Sequence, residues 1–551
     1  MSENNKLLIS NVNPAEDTST NNEKKYEENY NLEDLSKIVL VNESVTPMQE
    51  INRAYETFKF GWFHVKLLIV TFFGCIASIQ VTNSTAFLLP IAECDLNMNL
   101  KQKGLLTAMP YFGMFVSTII TGFLIDTFGR IIFLRIGFAG MFFFTLLSAS
   151  SQTYEMLAAA KLCEGILFAT ALAAISALTS EFCHPTVRDR VMLFQSSYAA
   201  LSQILGPAMA WGLLIQDWKY SFFDGRFVLN VWNFYLYAMS LWSLAAFLLY
   251  CTLPESPKFL VTQKRYEEAK NILIRIYTEN TGKPADTFPY PHLFEKEMKE
   301  DDSEDAKAKR KIKVGERLLT GLKNLKPLIR RPLFNYLALI GAMQCVVLGV
   351  HNVNRLWFPQ LSTIVEHYKF DDNNNLCGLL DVYTTTLKSK SALNVTSEVC
   401  VPHVSGSETY INSIIIGLIC LLPYFISGAI VNKVGKKVLL FAGGLISIGS
   451  LLGLRWANSK ALMVVLFSMN IAMTQTMKSL TQVFLIELVP TTMRALALSL
   501  VMMTARMGTL VGNVAFPILL AMGCAIPFYT MAGAMTCVVI LAIFLPRGKQ
   551  S

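Results

Sequence analysis

Residues 122–130 read GFLIDTFGR, and residues 428–436 read GAIVNKVGK. Both follow one skeleton: Gly, three residues, Asp or Asn, two residues, Gly, then a cation. The first copy supplies Gly122, Asp126, Gly129 and Arg130; the second supplies Gly428, Asn432, Gly435 and Lys436. The offset is constant, since 428 − 122 = 306 and 436 − 130 = 306. Each copy is a short polar phrase set between apolar runs. A second phrase repeats at the same offset: EFCHPTVR (181–188) and ELVPTTMR (487–494) each run from an acid, Glu181 or Glu487, through Pro-Thr to Arg188 or Arg494. Two phrases repeated in register predict a chain made of two parallel copies of one unit.

The composition says where such a chain lives. Of 551 residues, 53% are hydrophobic and 16% charged, against roughly a quarter charged in soluble domains. Mean hydropathy is +0.41. A helix needs about 20 apolar residues to cross a bilayer core of ~30 Å. Twelve runs qualify: 62–89, 103–125, 131–150, 154–180, 191–215, 228–253, 333–358, 411–431, 438–456, 460–486, 495–520 and 525–545. They are too long and too uniformly apolar for barrel strands, which alternate. Only helices then satisfy the backbone at this depth. The expected fold is an all-α membrane protein of twelve transmembrane helices in two six-helix halves.

The remaining segments complete the plan. Residues 1–60 are rich in Asn, Glu and Lys and are expected to form a disordered cytoplasmic tail. No basic stretch, apolar core and cleavage site open the sequence, so the run from Trp62 is expected to direct insertion. Residues 61–253 form the first half, 254–331 a charged cytoplasmic linker, 332–546 the second half and 547–551 a cytoplasmic end. Cations near the helix ends, among them Arg130, Arg188, Lys436 and Arg494, place that side and both termini in the cytoplasm by the positive-inside rule. Residues 359–410 fall on the other side. They hold the glycosylation acceptor Asn394-Val-Thr396 and two cysteines, Cys377 and Cys400, in an oxidising compartment. A Cys377–Cys400 disulfide is expected, with Cys94 as a competing partner.

The net charge of +8 sits largely in loops beside apolar runs, which argues for membrane topology and against nucleic acid. There is no G-x-x-x-x-G-K-[ST], H-E-x-x-H or G-x-S-x-G, so neither an ATP-driven pump nor an enzyme is expected, and no cofactor or metal. The expected partners are the lipid bilayer, a small-molecule substrate and a coupling proton or ion; a monomer is expected.

Charged residues inside spans cost a few kcal/mol, so they face a cavity or a partner. Lys161 and Glu164, three apart on the fourth helix, share one face. They are either a proton- or ion-handling site or a mutually satisfied pair. Lys478 and Arg506 have no carboxylate within a turn on their own helices, and Arg506 is expected to face a cavity, the alternative being an interhelical bond to a carbonyl. At the repeated turns, the glycines allow tight turning. The acids near cations suggest a latch between the halves, with Glu181 and Glu487 in reach of Arg130 and Lys436.

GFLIDTFGR resembles the signature of the major facilitator superfamily between its second and third helices. KLCEG (161–165) resembles its fourth-helix Arg-x-x-x-Gly motif, with Lys161 in place of Arg. PESPKFL (254–260) is similar to the sugar and organic-ion transporter branch. AECDLNMNLKQKGLL (92–106), AMAWGLLIQDW (208–218) and LWFPQL (356–361) resemble the synaptic vesicle glycoprotein 2 family and its insect relatives. The resemblance covers residues 60–546. It implies a secondary transporter working by alternating access, with helices one, four, seven and ten lining the cavity. Candidate substrate residues are then Lys161, Glu164, Gln344, Asn352, Lys478 and Arg506, with Trp232 and Trp357 as aromatic candidates. Gln80, Asn83, His351, Asn354, Asn470 and Gln475 make the cavity polar and cationic, favouring an anionic or zwitterionic solute. The alternative is a vesicle or plasma-membrane glycoprotein that keeps the fold and acts by binding partners.

Overall fold

A computed structural model describes residues 46–58, 60–295, 297–298, 331, 333–367, 375–392, 406–422, 434–490 and 493–546. Asn394, Cys400, Gly428 and Asn432 lie outside the described residues, as do the side chains of Gly122 and Asp126. An amphipathic helix α1 (Pro47–Phe58) precedes the first six long helices: α2 (Trp62–Asp95), α3 (Leu100–Phe128), α4 (Arg130–Ala149), α5 (Tyr154–Glu181), α6 (Pro185–Leu214) and α7 (Val231–Cys251). An antiparallel hairpin, β1 (Lys219–Phe222) and β2 (Phe227–Asn230), joins α6 to α7. Two short helices, α8 (Pro257–Thr262) and α9 (Tyr266–Thr281), follow. The second half comprises α10 (Leu333–His367), the outer helix α11 (Leu376–Ala392), α12 (Ser407–Ile419), α13 (Lys436–Gly453), α14 (Lys460–Leu488), α15 (Arg494–Met522) and α16 (Ala525–Ile543).

Eleven of the twelve apolar runs coincide with long helices; of the run 411–431, the described helix is the 13-residue α12. Among the described residues, eight helices are long and apolar enough to cross a membrane by length and composition alone. Local chemistry sets their ends. Asn99 and Gln102 exchange side-chain bonds with each other's backbone N–H, 2.8 and 2.9 Å, to open α3. Gly129 ends it with φ of +107°, and Gly435 has φ of +89° at the equivalent point of the second half. Both turns therefore need a residue without Cβ, which explains why the second glycine of the phrase stands in both copies.

Close backbone contact builds each half. A Cβ on Gly165 would lie 2.0 Å from the Pro110 carbonyl oxygen, drawing α5 onto α3. In the second half, a Cβ on Gly508 would lie 1.9 Å from the Cys345 carbonyl, drawing α15 onto α10. Small residues drive helix association in lipid, where apolar burial between helices does not. The halves meet along α3 with α15, α6 with α12 and α2 with α10.

Three findings differ from the sequence reading. Residues 47–58 of the supposed disordered tail form a helix, because Ile51, Ala54, Tyr55 and Phe58 present one apolar face. The Phe58 ring packs on Tyr277 and Phe288, 5.7 and 5.8 Å between centroids, so α1 and α9 form a collar under the first half. The 359–410 segment is largely structured: α10 continues to His367, and α11 docks on the second half. There Cys377 pairs with Cys524, not with Cys400. The Asp381 carboxylate accepts the Cys524 N–H at 2.8 Å, which brings the α15–α16 turn to Cys377. Cys94 is disulfide-bonded as well.

Not every small residue on these helices packs. Gly449 of GSLLG (449–453) faces open space, whereas Gly508 of GTLVG (508–512) meets backbone. Gly508→Ala is expected to destabilise the protein by about 1–3 kcal/mol through overpacking, and Gly449→Ala to leave it unchanged. Thermal unfolding of the purified variants checks this; equal melting temperatures would contradict the packing assigned to α10 and α15.

Candidate functional site

The repeated turns gather at one end of the bundle, here called the basic end. Arg130 opens α4 and meets Glu181 at the end of α5, with Nε and Nη2 at 3.1 and 3.0 Å from one carboxylate oxygen. Lys436 opens α13 and meets Glu487 near the end of α14. Both pairs are 51 residues apart, so the duplication preserves the bond as well as the phrase. Both lie inside a half. They brace the turn of their own unit, which differs from the expected latch between halves.

The two turns are not equally built. Glu255, from the PESP stretch before α8, accepts the N–H groups of Arg130 and Ile131, each at 3.1 Å. A carboxylate here satisfies two of the free donors at the start of α4 and faces the positive end of its dipole. The Arg130 guanidinium also lies 4.8 Å from the Phe259 ring centroid. Tyr55 of α1 donates to the Glu181 carbonyl at 3.0 Å, and Lys258 lies over the Tyr55 ring at 5.4 Å. Burial lowers the Lys258 pKa, opposed by the charge of Glu181. Burial also pushes the Cys183 thiol between α5 and α6 up to about 11. Among the described residues, no side chain caps the start of α13 at Gly435. Arg494 donates to the Val489 carbonyl at 3.1 Å, and Arg188 is exposed near the start of α6.

Between the halves lies a pocket of about 760 Å³, its mouth included. Its walls come from α2 (Asn83, Phe87), α6 (Ala200, Gln203, Pro207), α10 (His351, Arg355, Phe358), α12 (Ser413, Ile416) and α14 (Ile471, Gln475). Away from the basic end, the Phe87 ring packs on Tyr410 at 6.1 Å, and Gly104 of α3 abuts Pro517 of α15. Helices α6 and α12 line the pocket, which the reading of helices one, four, seven and ten did not include.

The sequence candidates separate accordingly. Lys161 and Glu164 are both fully buried, 2.8 Å apart. Ser148 donates to Glu164 at 2.6 Å, and Lys161 reaches Ser84 of α2 at 3.4 Å. The pair stands behind the pocket wall, not in it. Gln344 donates to the Lys478 carbonyl and to Thr481, 2.8 and 2.6 Å, and Asn352 to Thr509 at 2.9 Å, so both hold α10 against its neighbours. Asn354 donates to Asn470 at 2.7 Å. Trp232 donates to Asp95 at 2.8 Å, at the end remote from the basic turns, and Trp357 packs on Phe516 at 5.0 Å. Neither lines the pocket. Arg506 is not a cavity residue either: its guanidinium crosses between halves to the Met114 carbonyl at 3.2 Å and to the Thr118 hydroxyl. A backbone carbonyl and a hydroxyl disperse its charge without a carboxylate.

Residues 40–348, more than half of the chain, match the family model described as sugar (and other) transporter. The chain belongs to that family. Its curated relatives include synaptic vesicle glycoprotein 2B of Rattus norvegicus, 26% identical over 262 residues, or 46% of this chain and 38% of that protein. Synaptic vesicle glycoprotein 2A of the same organism is 25% identical over 253 residues, 44% and 34% of the two chains. The match spans between a third and two fifths of these relatives' length. Among solved structures, the partially occluded inward-open xylose transporter XylE from E. coli superposes with a TM-score of 0.58 at 14% identity. The alignment covers 88% of this chain and 100% of that one. A D-xylose-proton symporter gives 0.59 at 14% identity, over 88% and 99%. The fold is that of the major facilitator superfamily.

Within that fold, the residue missed by sequence reasoning is Arg355. It lines the pocket, donates to Tyr111 of the other half at 3.3 Å, and lies close enough to His351 and Lys478 to act on both electrostatically. Lys478 follows the wall residues Ile471 and Gln475 on one helical face. The signal was an arginine seven residues after Leu348 in an otherwise uncharged stretch of apolar and amide side chains.

The unequal turns are measurable. Arg130 and Glu181 are 13% and 18% exposed, Lys436 and Glu487 32% and 41%. A double-mutant cycle to alanine is expected to give a coupling of about 1–2 kcal/mol for the first pair. The second, largely solvated, should stay under about 0.5 kcal/mol. A larger coupling at Lys436–Glu487 would overturn the asymmetry.

Proposed function

We propose that this chain is a secondary transporter that moves a small organic solute by alternating access through the pocket between its halves. The observation that carries the reading is the position of that pocket, walled by α2 and α6 from one half and α10, α12 and α14 from the other. A solute bound there touches both bodies, so rocking one against the other exposes it to either side in turn. Family membership and fold support the same reading. We further propose an anionic or zwitterionic solute, because Arg355 and His351 line the pocket and Lys478 lies a turn away, while no acid lines it. The basic end faces the cytoplasm on the positive-inside argument. A coupling proton or ion would have Glu164 as the carboxylate nearest the middle of the first half.

A partner-binding glycoprotein remains the second reading, favoured by the outer helix α11, which Cys377–Cys524 fixes to the second half as a preformed surface. One variant separates the two. Ala200 is a small wall residue on α6, and Ala200→Trp fills the pocket without touching α11. In proteoliposomes, a panel of organic anions, zwitterions, sugars and cations under imposed gradients is expected to reveal one saturable flux. Ala200→Trp should reduce it at least tenfold while the melting temperature holds. If no solute moves under any gradient, the transport reading falls.

A further inference from the structure

Arg355 presents an unusual half-used fork. Its Nη2 donates to the Tyr111 hydroxyl on the other half, 3.3 Å. Its Nε is buried and without a hydrogen-bond partner. These two nitrogens form the side-on edge of a guanidinium, the edge that Arg130 turns on Glu181 and Arg265 turns on Glu268 elsewhere in this chain. A carboxylate on that edge takes two parallel charge-assisted bonds. Arg355 lines the pocket, with one position of this edge held by a weak neutral acceptor and the other buried without one.

No side chain supplies the missing acceptor. Among the described residues, no carboxylate pairs with Arg355 or Lys478. Two uncompensated cations near the middle of a bilayer call for water or an anion. Asn83, Gln203, His351, Ser413 and Gln475 add polar groups to the wall, and Phe87, Phe358, Ile416 and Ile471 form its apolar part. A small polar dianion would leave those apolar surfaces unfilled, and a neutral solute would leave the charge of Arg355 unmatched.

We infer that Arg355 anchors the head of the solute, and that the solute is an organic monoanion, a single carboxylate or sulfonate on an apolar body of ring size. The inference rests on the transport reading for its physiological meaning, but the site is defined by binding. Seating the head on Nε and Nη2 displaces Tyr111. Loading the pocket thereby releases one bond between the halves, which makes Tyr111 a positioning residue that competes with the ligand.

The test uses the full chain, purified, with 2-naphthoate as probe and its neutral isostere 2-naphthamide as control, read by titration calorimetry. Naphthoate is expected to bind at least tenfold tighter than naphthamide. Arg355→Gln should lose at least tenfold in naphthoate affinity, and Arg355→Lys, which keeps the charge but not the fork, an intermediate amount. Tyr111→Phe should bind roughly two- to tenfold tighter, the worth of one neutral hydrogen bond; because it strengthens binding, misfolding cannot mimic it. Equal affinity for naphthoate and naphthamide, absence of naphthoate binding, an Arg355→Gln protein with wild-type affinity, or a Tyr111→Phe protein that binds no tighter would each overturn the inference. Binding that follows the expected pattern without flux in proteoliposomes would sink the transport reading and leave this site standing. A neutral-solute flux indifferent to Arg355→Gln would do the reverse.

Discussion

Inside a bilayer, a charge must find a partner or it is expelled, and this constraint sorts the molecule. Lys161 has Glu164, and Glu164 has Ser148 as well. Arg506 has a carbonyl and a hydroxyl on the facing half. Lys103 has Glu93 at 2.6 Å, close to where Gly104 abuts Pro517. Each of these cations is fixed in the framework by its partners. Among the described residues, Arg355, held by the Tyr111 hydroxyl alone, and Lys478 pair with no carboxylate, and both lie beside the pocket. The places where the framework is electrostatically incomplete and the place where a solute fits are the same.

The duplicated turns explain how the halves can move without coming apart. Arg130–Glu181 and Lys436–Glu487 are internal to their halves, so rocking one half against the other leaves both bonds intact. Glu255 and the collar of α1, α8 and α9 stiffen the first half further. Among the described residues, what would resist rocking is the set of contacts that cross: Arg506 to α3, Arg355 to Tyr111, and the packing of α3 on α15, α6 on α12 and α2 on α10. Units braced internally on either side of such a seam are what the proposed alternating access would need.

Much of this was legible in the sequence, and what was not has identifiable causes. The apolar runs marked eleven long helices and the described part of a twelfth, because hydrocarbon thickness dictates length. The 306-residue offset marked the duplication and its ion pairs. Arg355 was missed because the seventh run was ended at 358, making the arginine look like an interface residue. Pro359 does not stop that helix; residues to Val365 stay buried and carry it to His367, which moves Arg355 inward. The α1 helix was averaged away by the polar tail before it, although Ile51, Ala54, Tyr55 and Phe58 follow helical spacing. Trp232 and Cys377 depended on partners, Asp95 and Cys524, that are 137 and 147 residues distant, and nothing local names them.

The energetic ordering at Arg355 then decides how loading is felt by the rest of the molecule. A neutral hydrogen bond such as that to Tyr111 is worth about 0.5–1.5 kcal/mol net, and one to a charged group about 1.5–3. An anionic head making two such bonds outcompetes the tyrosine, even after the hydroxyl is returned to the pocket. A neutral solute offers Arg355 an acceptor no better than the one it already holds, so it gains little by displacing it. On the proposed reading, an anion would therefore both occupy the pocket and loosen the contact between α10 and α3. Recognition and release of the halves would then be one event, because the same guanidinium edge would serve as lock and as receptor.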